Sequence, residues 1–133
     1  MPFAYRIDPS AQLALATVGG AVTGDDIAGW ARDLHGDPDW SPEFAAIWDD
    51  RRVTALSVAP EGLDDMVDAQ VAGGVGPDLV LTGRPDHQDL MRLYAARVCR
   101  RGRPAGVFAT LDGALGALGR DRLPASLEGL VPA

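Results

Sequence analysis

The densest cluster of chemically capable side chains lies in the run "AIWDDRRV", where apolar residues lead directly into Asp49, Asp50, Arg51 and Arg52. Two carboxylates together are the material of a general base or a divalent-cation site. Neighbouring carboxylates on an extended segment point to opposite sides, so these two do not converge on one ion. The adjacent arginines also offer them partners. A metal is not expected here, and a catalytic role would need a base or cofactor that the chain does not supply.

A second candidate is "LTGRPDHQ", with Thr82 at a strand end and Arg84 just before a helix opened by Pro85. Free N–H groups at a helix start together with a guanidinium could hold a carboxylate or phosphate. Asp86 and Asp89 compete as local salt-bridge partners. The glycine-rich turn "GGAVTGDD" only superficially resembles a phosphate loop. It has no lysine, and Asp25 and Asp26 stand where phosphate would be repelled; they complement the helix dipole instead.

The remaining reactive types are isolated. His35 and His87 fall near helix ends, away from any cysteine or carboxylate at ligand spacing, and read as surface or capping residues. Cys99, flanked by Arg100 and Arg101, reads as a packing residue on a helix. Trp30 reads as core, whereas Trp40 in "DPDWSP" is the tryptophan expected to face solvent. Nucleophile-elbow, zinc and dinucleotide-binding patterns are absent.

The bulk properties narrow the classes further. The chain has 133 residues, 47% hydrophobic, with a net charge of −7. Such a field repels phosphate backbones and anionic lipid, which argues against a nucleic-acid partner. All basic residues are arginine, which excludes lysine Schiff-base chemistry. A single cysteine cannot form an internal disulfide, so a reducing compartment is expected. No secretory signal or membrane span is legible, and a cytoplasmic location is the expectation.

These residues must be positioned by a regular alternation of elements. Phe3, Tyr5 and Ile7 alternate as a strand, Asp8-Pro9-Ser10 has turn chemistry, and "QLALATV" completes a hairpin. Thr23 and Asp26 frame a capping box before a helix carrying Ile27, Trp30, Ala31 and Leu34. "EFAAIW" is a strand predicted to end at Asp49. Leu63, Met66, Val67 and Val71 mark a second helix, with Ser57 as its candidate cap. "DLVLTG" is a buried strand. A third helix spans about 85–101, with Leu90, Leu93, Tyr94, Arg97 and Val98 on one side. "AGVFAT" and a short helix over 112–118 end a domain spanning 1–119, and 120–133 reads as a weakly structured tail.

The expectation is an α/β single domain, a mixed sheet of about five strands with four helices in β-β-α-β-α-β-α-β-α order. Four crossing points should then meet on one rim at the strand carboxyl ends: 19–23, 49–52, 82–84 and 110–112.

The phrases "AYRID…LALATVGGAVTGDDIAGWARDL", "FAAIWDDRRV" and "GVFATLDGALGAL" resemble the SpoIIAA-like proteins of the STAS superfamily, which include anti-sigma-factor antagonists. In the regulatory members a strand ends in Asp followed by a phosphorylatable Ser or Thr and then Gly. Asp49 could match that Asp, but Asp50, Arg51 and Arg52 follow it, so the phospho-switch is absent there. Thr54 and Ser57 are the next hydroxyls. The resemblance implies a non-enzymatic regulatory or protein-interaction domain using the surface around Asp49–Arg52 and the second helix, with no cofactor. The alternative is a carrier of a small anionic or apolar ligand, a lipid included, in a strand-end cleft near Arg84 and Thr82. An enzyme acting through Asp49 or Asp50 is a third reading. Exposed edge strands would also permit a homodimer.

Overall fold

The computed structural model describes residues 3–130. The elements are β1 (Phe3–Asp8), β2 (Leu13–Thr23), α1 (Gly24–His35), β3 (Ala45–Ser57), α2 (Pro60–Gly73), β4 (Asp78–Leu81), α3 (Pro85–Arg100), β5 (Ala105–Phe108), α4 (Leu111–Ala117) and α5 (Ala125–Glu128). They form a mixed α/β fold in the order read from the sequence, with α5 in addition.

The sheet order is β1-β2-β3-β4-β5. β1 runs antiparallel to β2, and every later pair is parallel. Each β-α-β step advances in the same direction, so right-handed crossovers stack α1, α2 and α3 on a single face. There Ala14, Ala16, Trp48 and Val80 meet Ile27, Leu34, Met66, Tyr94 and Val98. The other face, with Leu13, Leu15, Ile47, Leu79 and Leu81, packs against Ala114, Leu115, Leu123 and Leu127. Central strands covered on both sides read as continuous apolar runs, as "LALATV" and "DLVL" do.

Local chemistry sets the helix starts. Thr23 Oγ1 accepts the Asp26 N–H at 3.2 Å, while Asp26 Oδ2 accepts the Thr23 N–H at 3.0 Å. This reciprocal box satisfies two donors that a helix start leaves orphaned. α2 and α3 begin instead with Pro60 and Pro85 in the first turn. The residue capping α2 is Ala59, without a side-chain bond, so Ser57 does not act as the expected cap. A Cβ on Gly24 would lie 3.0 Å from the Gly62 backbone, and that missing atom lets α1 and α2 approach closely.

Four expectations are corrected. β3 does not stop at Asp49 but runs on to Ser57, paired with β2 as far as Thr23↔Ser57. β4 accompanies it only from Ala46 to Asp49. The crossing points therefore do not share one rim: 82–84 and 110–112 leave the sheet near Asp49, while α1 and α2 start beyond the far ends of β2 and β3. α3 buries His87, Met91, Tyr94, Ala95 and Val98, leaving Leu93 45% exposed. The segment read as weakly structured, a short turn of helix or a loose tail, forms the short helix and is docked through Leu123 and Leu127, 6% and 0% exposed. Burying two leucines contributes about 3–6 kcal/mol, enough to hold a short helix. Arg120 donates to the Ala11 carbonyl and Ser126 Oγ to Asp8 Oδ2, tying the same segment down. Residues 131–133 of that tail lie outside the described residues.

Candidate functional site

β3 carries the residues singled out from the sequence, and its pleat separates them. Asp49 faces the α4 side of the sheet, 4% exposed. Arg51, two residues on and so on the same face, grips it with Nε to Oδ1 at 2.9 Å and Nη2 to Oδ2 at 2.7 Å. The Arg51 backbone N–H adds a third bond at 3.1 Å. Such a bidentate, charge-assisted pair saturates the carboxylate and pushes the Arg51 guanidinium pKa further up.

Asp50 points the opposite way, beneath the helices, and is 9% exposed. It borders a cavity of about 10 Å³ with Trp48, Gln70, Met91 and Tyr94, room for a single water. Burial raises the Asp50 carboxyl well above the usual range, and the charges of Asp49 and Asp78 push the same way. The Trp48 indole N–H is buried on the same face, beside Asp78.

Beyond the cavity the helical face holds a polar network that the sequence did not announce. Arg103 is 1% exposed and donates through Nε to the Gly76 carbonyl at 2.8 Å and through Nη1 to the Gln70 carbonyl at 2.7 Å. The Tyr94 hydroxyl donates to Asp78, which is fully buried at the start of β4. Burial raises the Asp78 pKa against the opposing pull of Arg103 and Tyr94, and it raises the Tyr94 phenol well above its normal value. The available signals were an Asp opening an otherwise apolar strand and an Arg between Gly102 and Pro104.

The second expected cluster also divides. Thr82 is buried; its N–H donates to the Phe108 carbonyl at 3.0 Å and its carbonyl accepts from Gln88 at 3.1 Å. It continues the sheet rather than facing a ligand. Arg84 is exposed and lies across to β3, where Nη1 donates to the Thr54 carbonyl at 3.2 Å. It is also 3.9 Å from Asp86, while Asp89 pairs with Arg92.

Four isolated residues differ from expectation. His87 is buried rather than superficial, because it shares the inward face of α3 with Met91 and Tyr94. His35 lies against Trp40 in a tilted arrangement with ring centroids 5.1 Å apart, and burial, with Arg103 nearby, brings its pKa down to about 4. Trp40 is held by an N–H bond to the Gly73 carbonyl at 2.9 Å, and Cys99, read as packed, is exposed.

The long β2–β3 extension creates the principal surface feature. From Asp50 to Ser57, β3 has β2 on one side and no strand on the other among the described residues. The β2 register steps from Thr17↔Asp49 to Gly19↔Arg52 and from Gly20↔Val53 to Ala21↔Ala55. Each step leaves an extra residue on β3, a bulge; Asp50 and Arg51 have no β2 counterpart at the first step and Thr54 has none at the second. Arg51, Arg52, Thr54 and Ala55 are exposed along this stretch. At its far end, a cleft of about 570 Å³ between the starts of α1 and α2 is lined by Thr23, Asp25, Ser57 and Glu61 among others. Arg84 does not line that cleft, so the cation and the strand-end cleft paired in the sequence reading are separate. Among the described residues no three His, Cys, Asp or Glu side chains group to hold a metal, and no helix is long and apolar enough to cross a membrane.

No protein family and no curated protein matches the sequence. The structure is similar to the crystal structure of an uncharacterized protein from the DUF3478 family with a SpoIIAA-like fold from Shewanella loihica PV-4. Identity is 15% and the TM-score 0.56, over 87% of this chain and 93% of that one. The likeness gives the fold, a SpoIIAA-like one, and not a function.

Proposed function

We propose that the domain is a non-enzymatic protein-interaction module that docks its partner along the open edge of β3, between Asp50 and Ser57. The observation that carries this is the overrun of β3 past its last β4 pair, Asp49↔Leu81. An unpaired strand edge is a ready template for another chain. The alternatives find less support. Asp49 is saturated by Arg51 and Asp50 is enclosed, so neither is poised as a general base. The cavity beside Asp50, about 10 Å³, is far smaller than the roughly 300–1,000 Å³ of small-molecule pockets. The strand-end cleft of about 570 Å³ has the volume but is lined by Asp25 and Glu61 rather than by Arg84. With no hydroxyl directly after Asp49, docking proceeds without the phosphorylation step of the regulatory STAS pattern.

The test is site-specific photo-crosslinking in native lysate, with a photoreactive side chain replacing Thr54 and, as a control, Leu93 on the exposed side of α3. One protein adduct of defined mass at Thr54 and none at Leu93 is the expected result. Equal labelling at both positions, or none at Thr54, overturns the proposal.

A further inference from the structure

Resting on that docking edge, we infer that its occupant is an extended acidic peptide segment. Three observations converge on this chemistry. The first is charge. Arg52 and Arg84 are exposed beside the open part of β3, while Arg51 is taken up by Asp49, on a chain whose net charge is −7. A cationic strip on an acidic protein selects an anionic partner and turns away other acidic surfaces elsewhere.

The second is the place Arg84 occupies. Its Nη1 donates to the Thr54 carbonyl, at a bulged residue without a β2 counterpart. That is the bond an incoming backbone N–H would make. Arg84 serves as a placeholder: when a segment arrives, its amide takes the Thr54 carbonyl and the released guanidinium turns to a carboxylate of the segment. The Arg84 side chain is 53% exposed and its ion pair with Asp86 spans 3.9 Å, so the exchange breaks little.

The third is what the edge excludes. Two bulges and a row of arginines are the devices by which natural sheets block edge-to-edge pairing. A second copy would set these arginines against its own, and like charges across strands repel. An acidic segment still meets the bulges but not the like charge. The polarity also orders the segment. Its carboxylates belong beside Arg52 and Arg84, and its neutral residues lie toward Ser57, where Asp25 and Glu61 line the adjoining cleft.

The probe is a fluorescein-labelled peptide of about eight residues, enough to span the edge, with Glu at alternate positions in one half and Val and Thr elsewhere. A counterpart carries Lys in place of Glu. Anisotropy titrations and amide hydrogen exchange are read on the full chain. Saturable binding of the acidic peptide is expected, with protection over residues 52–57 and affinity falling as salt rises. The double variant Arg52→Glu/Arg84→Glu should weaken it by about fivefold or more, from the upper range for exposed ion pairs. Equal binding of the Lys peptide, salt-independent affinity, or protection confined elsewhere overturns the inference. The salt titration on the unmodified protein decides the matter if the double variant misfolds. Failure of the acidic peptide alongside a persistent Thr54 photo-adduct rejects this partner and leaves the docking edge standing; loss of the adduct rejects both.

Discussion

Replacing Asp50 with Asn isolates the energetic consequence of enclosing a carboxyl under the helices. The side chain is 9% exposed, and burial raises its pKa well above the ordinary 3.8, aided by Asp49 and Asp78. The folded state therefore holds a proton that the unfolded chain releases once the pH passes about 3.8. A raised folded-state pKa contributes stability that is fully present below the unfolded value and is lost as pH rises through the folded one. Each pH unit spent between the two values costs about 1.4 kcal/mol. Asp50→Asn has nearly the same shape and no proton to lose, so it removes this dependence and nothing else of comparable size. Asp78, raised in the same direction, is present in both proteins, and its contribution cancels while the native Asp50 carboxyl stays protonated.

The variant's advantage over the native chain should thus be smallest near pH 4 and grow by about 1.4 kcal/mol for each further pH unit over which the native carboxyl stays protonated in the fold. It levels off once the native carboxyl ionises inside the fold. Urea unfolding of both proteins at matched ionic strength across this range gives the difference directly, provided the slopes with denaturant agree. A constant difference, or an advantage that shrinks as pH rises, would refute the enclosed and unpartnered Asp50 described above.

The other perturbations act on the two features that the sequence did not disclose. Leu127→Ala removes a fully buried side chain from the face opposite the three long helices; a loss of about 2–5 kcal/mol in chemical unfolding is expected, and a loss within error would show that the 120–130 segment is not docked. Arg103→Met removes the buried donors to the Gly76 and Gln70 carbonyls together with the cation near Asp78 and Tyr94, and should cost about 2–6 kcal/mol from two carbonyls left unsatisfied. Adding Asp78→Asn should return part of that loss in a double-mutant cycle, and strict additivity would dissolve the proposed network.

The fold was legible where periodicity and punctuation agree. Thr23 and Asp26 announced α1, Pro60 and Pro85 announced the next two helices, and the apolar runs announced strands covered on both faces. The α3 face was misjudged because Tyr94 and Val98 belong to either of two overlapping stripes. Leu90 and Leu93 favour one stripe by composition, while His87 and Met91 complete the buried one. The 120–130 segment hid its order for a different reason: a four-residue helix is too short to show a period, and Leu123 and Leu127 gain their meaning only from a sheet face formed far earlier in the chain.

The candidate site was half legible, and the reason is physical. Charges in "DDRRV" look like the end of a strand because a charge in a sheet is costly when unpaired. Yet the Asp49–Arg51 spacing of two is itself the signature of a strand, since only a pleat places those side chains on one face. The Gly19-Gly20 pair reinforced the misreading by resembling a turn. Gly20 does adopt a positive φ of 76°, and a Cβ on Gly19 would stand 3.2 Å from Arg52 Cβ, so both glycines serve the irregular pairing with β3 rather than a chain reversal. A sequence reports the preference of each residue for its neighbours. It does not report that β4 stops at Leu81 while its partner strand continues, and that inequality of length is what leaves the arginine-framed edge open.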